Sequence, residues 1–275
     1  MKTTSAGKGP AKRLCRSISE NPGQFGLRFF GHLFDRLSLP YAYERHPTRD
    51  IAEAIQALRE DEVRGAAIAM PYKVPCMKLL DGIDSSALRI GAVNTIVNDG
   101  GRLTGYNTDF LAVRNLLRER QWDASRPFVL RGSGGMARAI LFALKEHGFS
   151  RGTVVSRNPG TGSRLASDFG FVWEESFPSE PEAYLLNATP IGMKGRAQAD
   201  EVAFPEALIA RAPGVLDSVA SPPETPLVRL ARRRNRPVVL GSEIIVLQAV
   251  EQFVLYIGTP PPPELVRVAA ELALV

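Results

Sequence analysis

Phe128-Val129-Leu130-Arg131-Gly132-Ser133-Gly134-Gly135-Met136-Ala137-Arg138-Ala139 is the stretch that decides the fold. Three apolar residues read as a strand, the glycines as a tight loop, and the following residues as a helix reaching about His147, where Gly148 ends it. Thr153-Val154-Val155 supplies the next strand and closes a βαβ unit of roughly 30 residues, the length of a mononucleotide-binding half. Gly132 and Gly134 let the backbone turn and come close to a pyrophosphate, whose charge is met by amides at the helix N-terminus. Ala137 takes the third position of the fingerprint and permits close helix–strand packing. A lone G-x-G-x-x-A says little. One that follows a strand and opens a helix reads as a nucleotide loop ahead of a plain turn.

Downstream, Ser156-Arg157-Asn158 ends the second strand without the carboxylate that an NAD site uses on the ribose hydroxyls. Arg157 can stack on adenine and grip a 2′-phosphate through its planar fork, which favours NADP; the alternative is an exposed loop arginine. Further strands are predicted over 183–186, 215–217 and 238–240, then a long helix over 245–256 that crosses back to pack on the first half.

Upstream, strands are predicted over 14–19, 41–43 and 66–70, with helices over 27–37 and about 51–58, the latter capped by Thr48. A hairpin follows over 92–106, turning at Asn98-Asp99-Gly100-Gly101, and an amphipathic helix over 110–120 connects the two halves. Strands alternating with helices, then a hairpin, give an α/β chain of two domains: a mostly parallel α/β sheet with an antiparallel edge, then the Rossmann-type unit.

Composition is that of a globular protein, 44% hydrophobic and 23% charged, with no apolar run long enough for a membrane span or a signal peptide. Cys15 and Cys76 have no C-x-x-C partner and the three histidines are scattered, which excludes a zinc site and a disulfide scaffold and fits a reducing, cytoplasmic setting. The pI near 9.4 is local in origin. Residues 1–16 hold five basic side chains and no acid, leaving 29 basic of the 34 against 29 acidic, so the body is neutral. With Arg232, Arg233, Arg234 and Arg236 closing a helix, where cations suit the dipole, no nucleic-acid partner is expected. Trp122 and Trp173 read as packing residues, His32 as solvent-facing and Cys76 as a buried small hydrophobe.

Met70-Pro71-Tyr72-Lys73 and Tyr106-Asn107-Thr108-Asp109 each lie just past an apolar strand, where ligand sites of open sheets gather. A lysine beside a carboxylate in a cleft can move a proton. Alone, Lys73 is more often a solvated charge. The series Gly65 to Pro71-Tyr72-Lys73, Ile90-Gly91-Ala92-Val93-Asn94-Thr95, Asn107-Thr108-Asp109, the glycine loop, Asn187-Ala188-Thr189-Pro190-Ile191-Gly192-Met193, Glu224-Thr225-Pro226-Leu227 and Gln248-Ala249 with Phe253 resembles the signature of shikimate dehydrogenases, in order over nearly the whole chain.

The resemblance implies hydride transfer between NADP(H) and the 3-position of shikimate, or a related cyclic hydroxy acid such as quinate. It makes Lys73 the proton carrier, Asp109 its partner and substrate orienter, and Asn94 and Gln248 the amides holding ring hydroxyls. Gly132, Ser133, Gly134, Gly135, Met136, Ala137, Ser156, Arg157, Asn158, Thr189, Ser218 and Gly241 fall on the cofactor side. The expected organisation is a basic tail over 1–12, a substrate domain over 13–109 completed by helices within 243–275, and an NADP-binding domain over 110–242, in a monomer or homodimer. Neither a metal nor a membrane is implied.

The departures lie on the substrate side. The carboxylate-binding serines of the family are missing from Glu20-Asn21-Pro22-Gly23-Gln24-Phe25-Gly26, although Ser17 and Ser19 stand just before it. Ala67 and Ala69 replace an asparagine and a threonine, Ala220 a tyrosine, and Glu243 a glycine near nicotinamide. The pattern is similar to the divergent shikimate dehydrogenase-like branch. Lost hydroxyls shift substrate choice. A nucleotide-binding sensor with vestigial activity is the alternative from another class.

Overall fold

The computed structural model of the protein describes residues 12–60, 62–178 and 182–275. The expected basic tail lies outside them except for Lys12, which is exposed. The first half runs β1 (Arg13–Ser19), α1 (Phe25–Arg36), β2 (Tyr41–Pro47), α2 (Ile51–Gln56), β3 (Val63–Ile68), β4 (Gly82–Ile83), α3 (Ser85–Ile90), β5 (Thr95–Asp99) and β6 (Arg102–Tyr106). α4 (Thr108–Glu119) leads into β7 (Phe128–Arg131), α5 (Gly135–His147), β8 (Gly152–Val155), α6 (Pro159–Phe169), β9 (Val172–Glu174) and β10 (Tyr184–Asn187). Then come α7 (Glu206–Ile209), β11 (Val215–Asp217), α8 (Pro226–Arg233), β12 (Val238–Val239), α9 (Gly241–Ile257) and α10 (Pro263–Ala273).

Each half builds its own six-stranded sheet. The first has the order β2-β1-β3-β5-β6-β4, with β1 parallel to β2 and β3, and β4 parallel to β6. β5 runs antiparallel to both neighbours. The antiparallel strand is therefore interior rather than at the expected edge: it lies between β3 and β6, and the two-residue β4, too short to show a period in sequence, pairs beyond β6 and takes the edge. Asp99 faces Arg102 in the ladder, so the turn is Gly100-Gly101 alone, at φ +60° and +86°. A two-residue hairpin turn of this hand needs positive φ at both positions. Asn98 belongs to the strand, its amide donating to the carbonyls of Leu58, Glu60 and Val63.

The second sheet is parallel throughout, in the order β12-β11-β10-β7-β8-β9. This is the doubly wound order, whose switch point lies between β7 and β10. α4, α5 and α6 cover one face, around Phe110, Phe142 and Leu165, and α7 and α8 cover the other. In the first half, α1, α9 and α10 bury an aromatic layer of Phe29, Phe30, Phe34, Tyr43, Phe253 and Tyr256, in which Phe30 stacks on Tyr43 at 4.7 Å. α9 packs on α4 and reaches β3 and β5, joining the two halves.

Local chemistry moves three expectations. α2 is capped by Asp50, whose carboxylate accepts from the Ala52 and Glu53 amides at 2.9 and 3.1 Å, while Thr48 braces the Asp50 backbone. α9 begins at Gly241, before its apolar period starts, because Glu243 turns back to accept the Leu240 amide at 2.8 Å. His32 is half-buried, with Nε2 enclosed and unpartnered. Both cysteines are buried, and burial pushes each thiol up to about 12.

Candidate active site

In a parallel sheet all strands end on one edge, and here that edge collects the residues expected to hold the cofactor. Gly132 follows β7, Ser156-Arg157-Asn158 follow β8, Thr189 follows β10, Ser218 follows β11 and Gly241 follows β12. The glycines of the loop are needed for different reasons. Gly132 has φ +121°, and a Cβ there would meet the Ala188 carbonyl oxygen at 2.8 Å. Gly134 is the N-cap of α5 and offers no side-chain acceptor to the first-turn amides. A Cβ on it would meet no protein atom within 4 Å, so only the close approach of a ligand calls for glycine. The uncapped amides, the dipole of α5 and buried Ala137 fit a dinucleotide pyrophosphate.

The cofactor-side polar groups are not equally free. The Ser156 hydroxyl is buried, accepting from Trp173 Nε1 at 3.1 Å and donating to the Asn158 carbonyl at 3.1 Å. Trp173 thus holds this turn, a task beyond packing. Asn158 caps α6 by accepting the Thr161 amide, and Ser133 shares a hydroxyl–hydroxyl bond of 2.9 Å with Thr161. Arg157 is exposed. Beneath Thr189 lies a buried lattice that sequence reading missed. Asn187 accepts from the Thr189 amide and hydroxyl and donates to Asp217 at 3.0 Å, and Asp217 also accepts from the Thr225 hydroxyl at 2.6 Å. Burial pushes the Asp217 carboxyl up to about 6.

Lys73 and Asp109 meet at 2.5 Å. Asp109 sits in the first turn of α4, favourable for its charge, and is almost wholly buried. The turn carrying Lys73 is tied to the strand region by its carbonyl, which accepts the Val93 amide at 2.7 Å. The lysine stem runs against the nucleotide loop: a Cβ on Gly135 would lie 3.0 Å from Lys73 Cβ and 3.1 Å from Cδ. Gly135 therefore faces the dyad, and the two halves of the chain converge there.

Asn94 and Gln248 also come together, Asn94 Nδ2 donating to Gln248 Oε1 at 3.3 Å and to Thr108 Oγ1 at 2.9 Å. Thr108 neighbours Asp109 in the chain, so amides and dyad share one corner of the cleft. At positions expected to depart from the family pattern, the structure shows other contacts. A Cβ on Gly26 would lie 2.7 Å from the Tyr43 hydroxyl, so the aromatic layer closes on that loop. Ser19 is buried at the end of β1. Glu243 is committed to the Leu240 amide and to an ion pair with Arg120.

Two α/β sheets, one in dinucleotide-binding order, with a lysine–aspartate pair against its glycine loop, define the class: two-domain oxidoreductases of the Rossmann type. Residues 28–96 match the family profile described as shikimate dehydrogenase substrate binding domain. The shikimate dehydrogenase-like protein of Haemophilus influenzae is 42% identical over 95% of this chain and 96% of its own length. The shikimate dehydrogenase (NADP(+)) of Halothermothrix orenii is 32% identical over 77% of this chain and 78% of its own. The shikimate 5-dehydrogenase of Thermus thermophilus, solved in complex with NADP(H) and shikimate, matches with TM-score 0.82 and 27% identity over 96% of this chain and 100% of that one. The chain belongs to the shikimate dehydrogenase family. Among the described residues no helix is long and apolar enough to cross a membrane, and no cluster of metal-ligating side chains occurs.

Proposed function

We propose that this chain is an NADP-dependent dehydrogenase that interconverts shikimate, or a related cyclic hydroxy acid such as quinate, and its 3-dehydro ketone. The observation that carries the reading is the 2.5 Å Lys73–Asp109 pair with its lysine stem against Gly135 of the nucleotide loop. The loop amides from Gly134 to Ala137 would hold the pyrophosphate, Arg157 the adenosine phosphate, and Thr189, Ser218 and Gly241 the nicotinamide end. NADP, when bound, supplies the hydride acceptor. Lys73 takes the hydroxyl proton on oxidation and returns it to the carbonyl oxygen on reduction, while Asp109 fixes the amine and receives a neighbouring hydroxyl. Asn94 and Gln248 orient the ring. α4 carries Asp109 and α9 carries Gln248, and the two helices pack on each other, which supports their positioning.

The test is a turnover assay with shikimate, quinate and related acids, following NADP reduction by ultraviolet absorbance. Activity that is lost in Lys73→Ala while NADP still binds supports the reading. NADP binding without turnover of any acid in the panel favours a nucleotide sensor instead. Absence of NADP binding overturns both.

A further inference from the structure

Gln252 lies one turn along α9 from Gln248 and is 1% exposed. Its Nε2 donates to Thr95 Oγ1 at 2.9 Å and to the Asn94 carbonyl at 3.4 Å. A carbonyl can only accept, so the amide nitrogen, not the oxygen, faces this cluster. Having accepted from Gln252, the Thr95 hydroxyl sends its single proton onward, and Asn94 Oδ1 receives it at 2.8 Å. Asn94 Oδ1 also accepts the Thr108 backbone amide at 2.8 Å, a donor that cannot reverse. The Asn94 amide nitrogen is thereby turned toward Thr108 Oγ1 and Gln248 Oε1. At the far end, Gln248 Nε2 donates to the Ile245 carbonyl, which fixes its oxygen toward Asn94. Three backbone groups and one buried glutamine thus orient the chain from Gln252 to Thr95 to Asn94 to Gln248, with the Thr108 hydroxyl as a branch that reaches Asn94 Oδ1 at 3.2 Å and Gln248 Oε1 at 3.4 Å.

We infer that Gln252 is a positioning residue: through the Thr95 hydroxyl, and together with the Thr108 backbone amide, it holds the hydrogen-bond direction of the Asn94–Gln248 pair and so tunes which substrate oxygens the pair can bind. This deepens the proposed function and rests on its assignment of Asn94 and Gln248 to the substrate. With the chain running this way, the corner offers amide N–H at Asn94 and a carbonyl oxygen at Gln248, a matched donor and acceptor for one hydroxyl group. A hydroxyl seated there replaces the long 3.3 Å bond between the two amides with two bonds of its own. A glutamate at 252 has the same shape and, when ionised, only accepts. It would draw the Thr95 proton away from Asn94 Oδ1 and remove one of the bonds that hold the amide's orientation.

The experiment compares wild type with Gln252→Glu, Gln252→Met, Thr95→Val and Gln252→Glu/Thr95→Val. It measures steady-state kinetics with the hydroxy acid that turns over best and side-chain amide NMR of the nitrogen-15-labelled protein. Each single variant is expected to raise KM for the hydroxy acid about tenfold, the size of a lost buried hydrogen bond, with KM for NADP unchanged. The Asn94 side-chain amide resonances should move in every variant. Because Gln252 acts through Thr95, the double variant should be no worse than the singles. Multiplying effects in the double variant, or Asn94 resonances that stay put in both Gln252 variants, overturn the inference. Gln252→Met keeps the test alive if the buried glutamate prevents folding. If wild type turns over no hydroxy acid, the dehydrogenase reading falls and the NMR comparison alone decides the donor direction.

Discussion

Gly135→Ala tests whether the nucleotide loop and the Lys73–Asp109 pair are mechanically one unit. Gly135 is not among the glycines with positive φ, and alanine is the better helix former, so the first turn of α5 itself gains or loses less than about 1 kcal/mol. The added methyl would lie 3.0 Å from Lys73 Cβ and 3.1 Å from Cδ, and the stem must yield by a few tenths of an ångström. Lysine is flexible, but this one is held at both ends: by the Val93 amide on its carbonyl at 2.7 Å and by Asp109 on Nζ at 2.5 Å. The displacement is therefore passed to the amine. A misplacement of 1 Å can cost about 100-fold in rate, so a shift of a few tenths should lower kcat on the order of tenfold. Thermal melting should stay within about 2 °C of wild type, and the NADP dissociation constant within about threefold. An unchanged kcat would refute the coupling. A matching loss of melting temperature would make the defect one of folding.

Gly132→Ala combines a φ of +121° with a Cβ 2.8 Å from the Ala188 oxygen, and should cost about 2–4 kcal/mol in denaturant unfolding and abolish NADP binding by titration. Arg157→Leu should raise KM for NADP by about tenfold or more and leave KM for NAD within about twofold, since only the 2′-phosphate is lost to the guanidinium. Asp217, pushed up to about 6 by burial, keeps its proton in the folded state at pH values where the unfolded chain has lost it. The stability this gives is fully present below about pH 4 and is lost as pH rises through about 6, on the order of 3 kcal/mol. Asp217→Asn should flatten that slope in urea unfolding measured from pH 4 to 7; an unaltered slope would assign it to other groups.

What could be read from the sequence was what depends on local covalent geometry. Gly132 announces a turn because its φ of +121° favours glycine, and Gly134 a backbone left bare for the close approach of a ligand. Arg157 stands out because a strand end lacks its usual carboxylate, and Lys73 and Asp109 because each follows an apolar strand. The structure gathers these on neighbouring edges of the two sheets. What stayed hidden lies between residues remote in the chain. Gln252 meets Thr95 across 157 positions, and neither periodicity nor spacing can report such a contact. β4 and β9 are too short to show a period, and Thr48 lost the cap of α2 to Asp50 two residues away because both are good capping types.

Two of the departures expected from the sequence, in the loop ending at Gly26 and at Glu243, sit among close neighbours. Tyr43 stacks on Phe30 at 4.7 Å with an interplanar angle of 2°, and Phe30 in turn lies 5.9 Å from Tyr256. The Tyr43 hydroxyl then stands where any side chain at Gly26 would begin. A serine at that position would need the ring to move, and the ring cannot move without opening the layer beneath α1. Phe30 and Tyr256 are essentially unexposed there. Arg28, one turn into α1, donates to the Val275 carbonyl at 2.7 Å and so ties the same helix to the chain's last residue. At the other end of the cleft, Glu243 is held by both the Leu240 amide and Arg120. A serine at 26 alone should therefore fail to restore a carboxylate site, because the Tyr43 ring occupies the space its side chain would take. None of these contacts directly involves Lys73, Asp109 or the glycine loop.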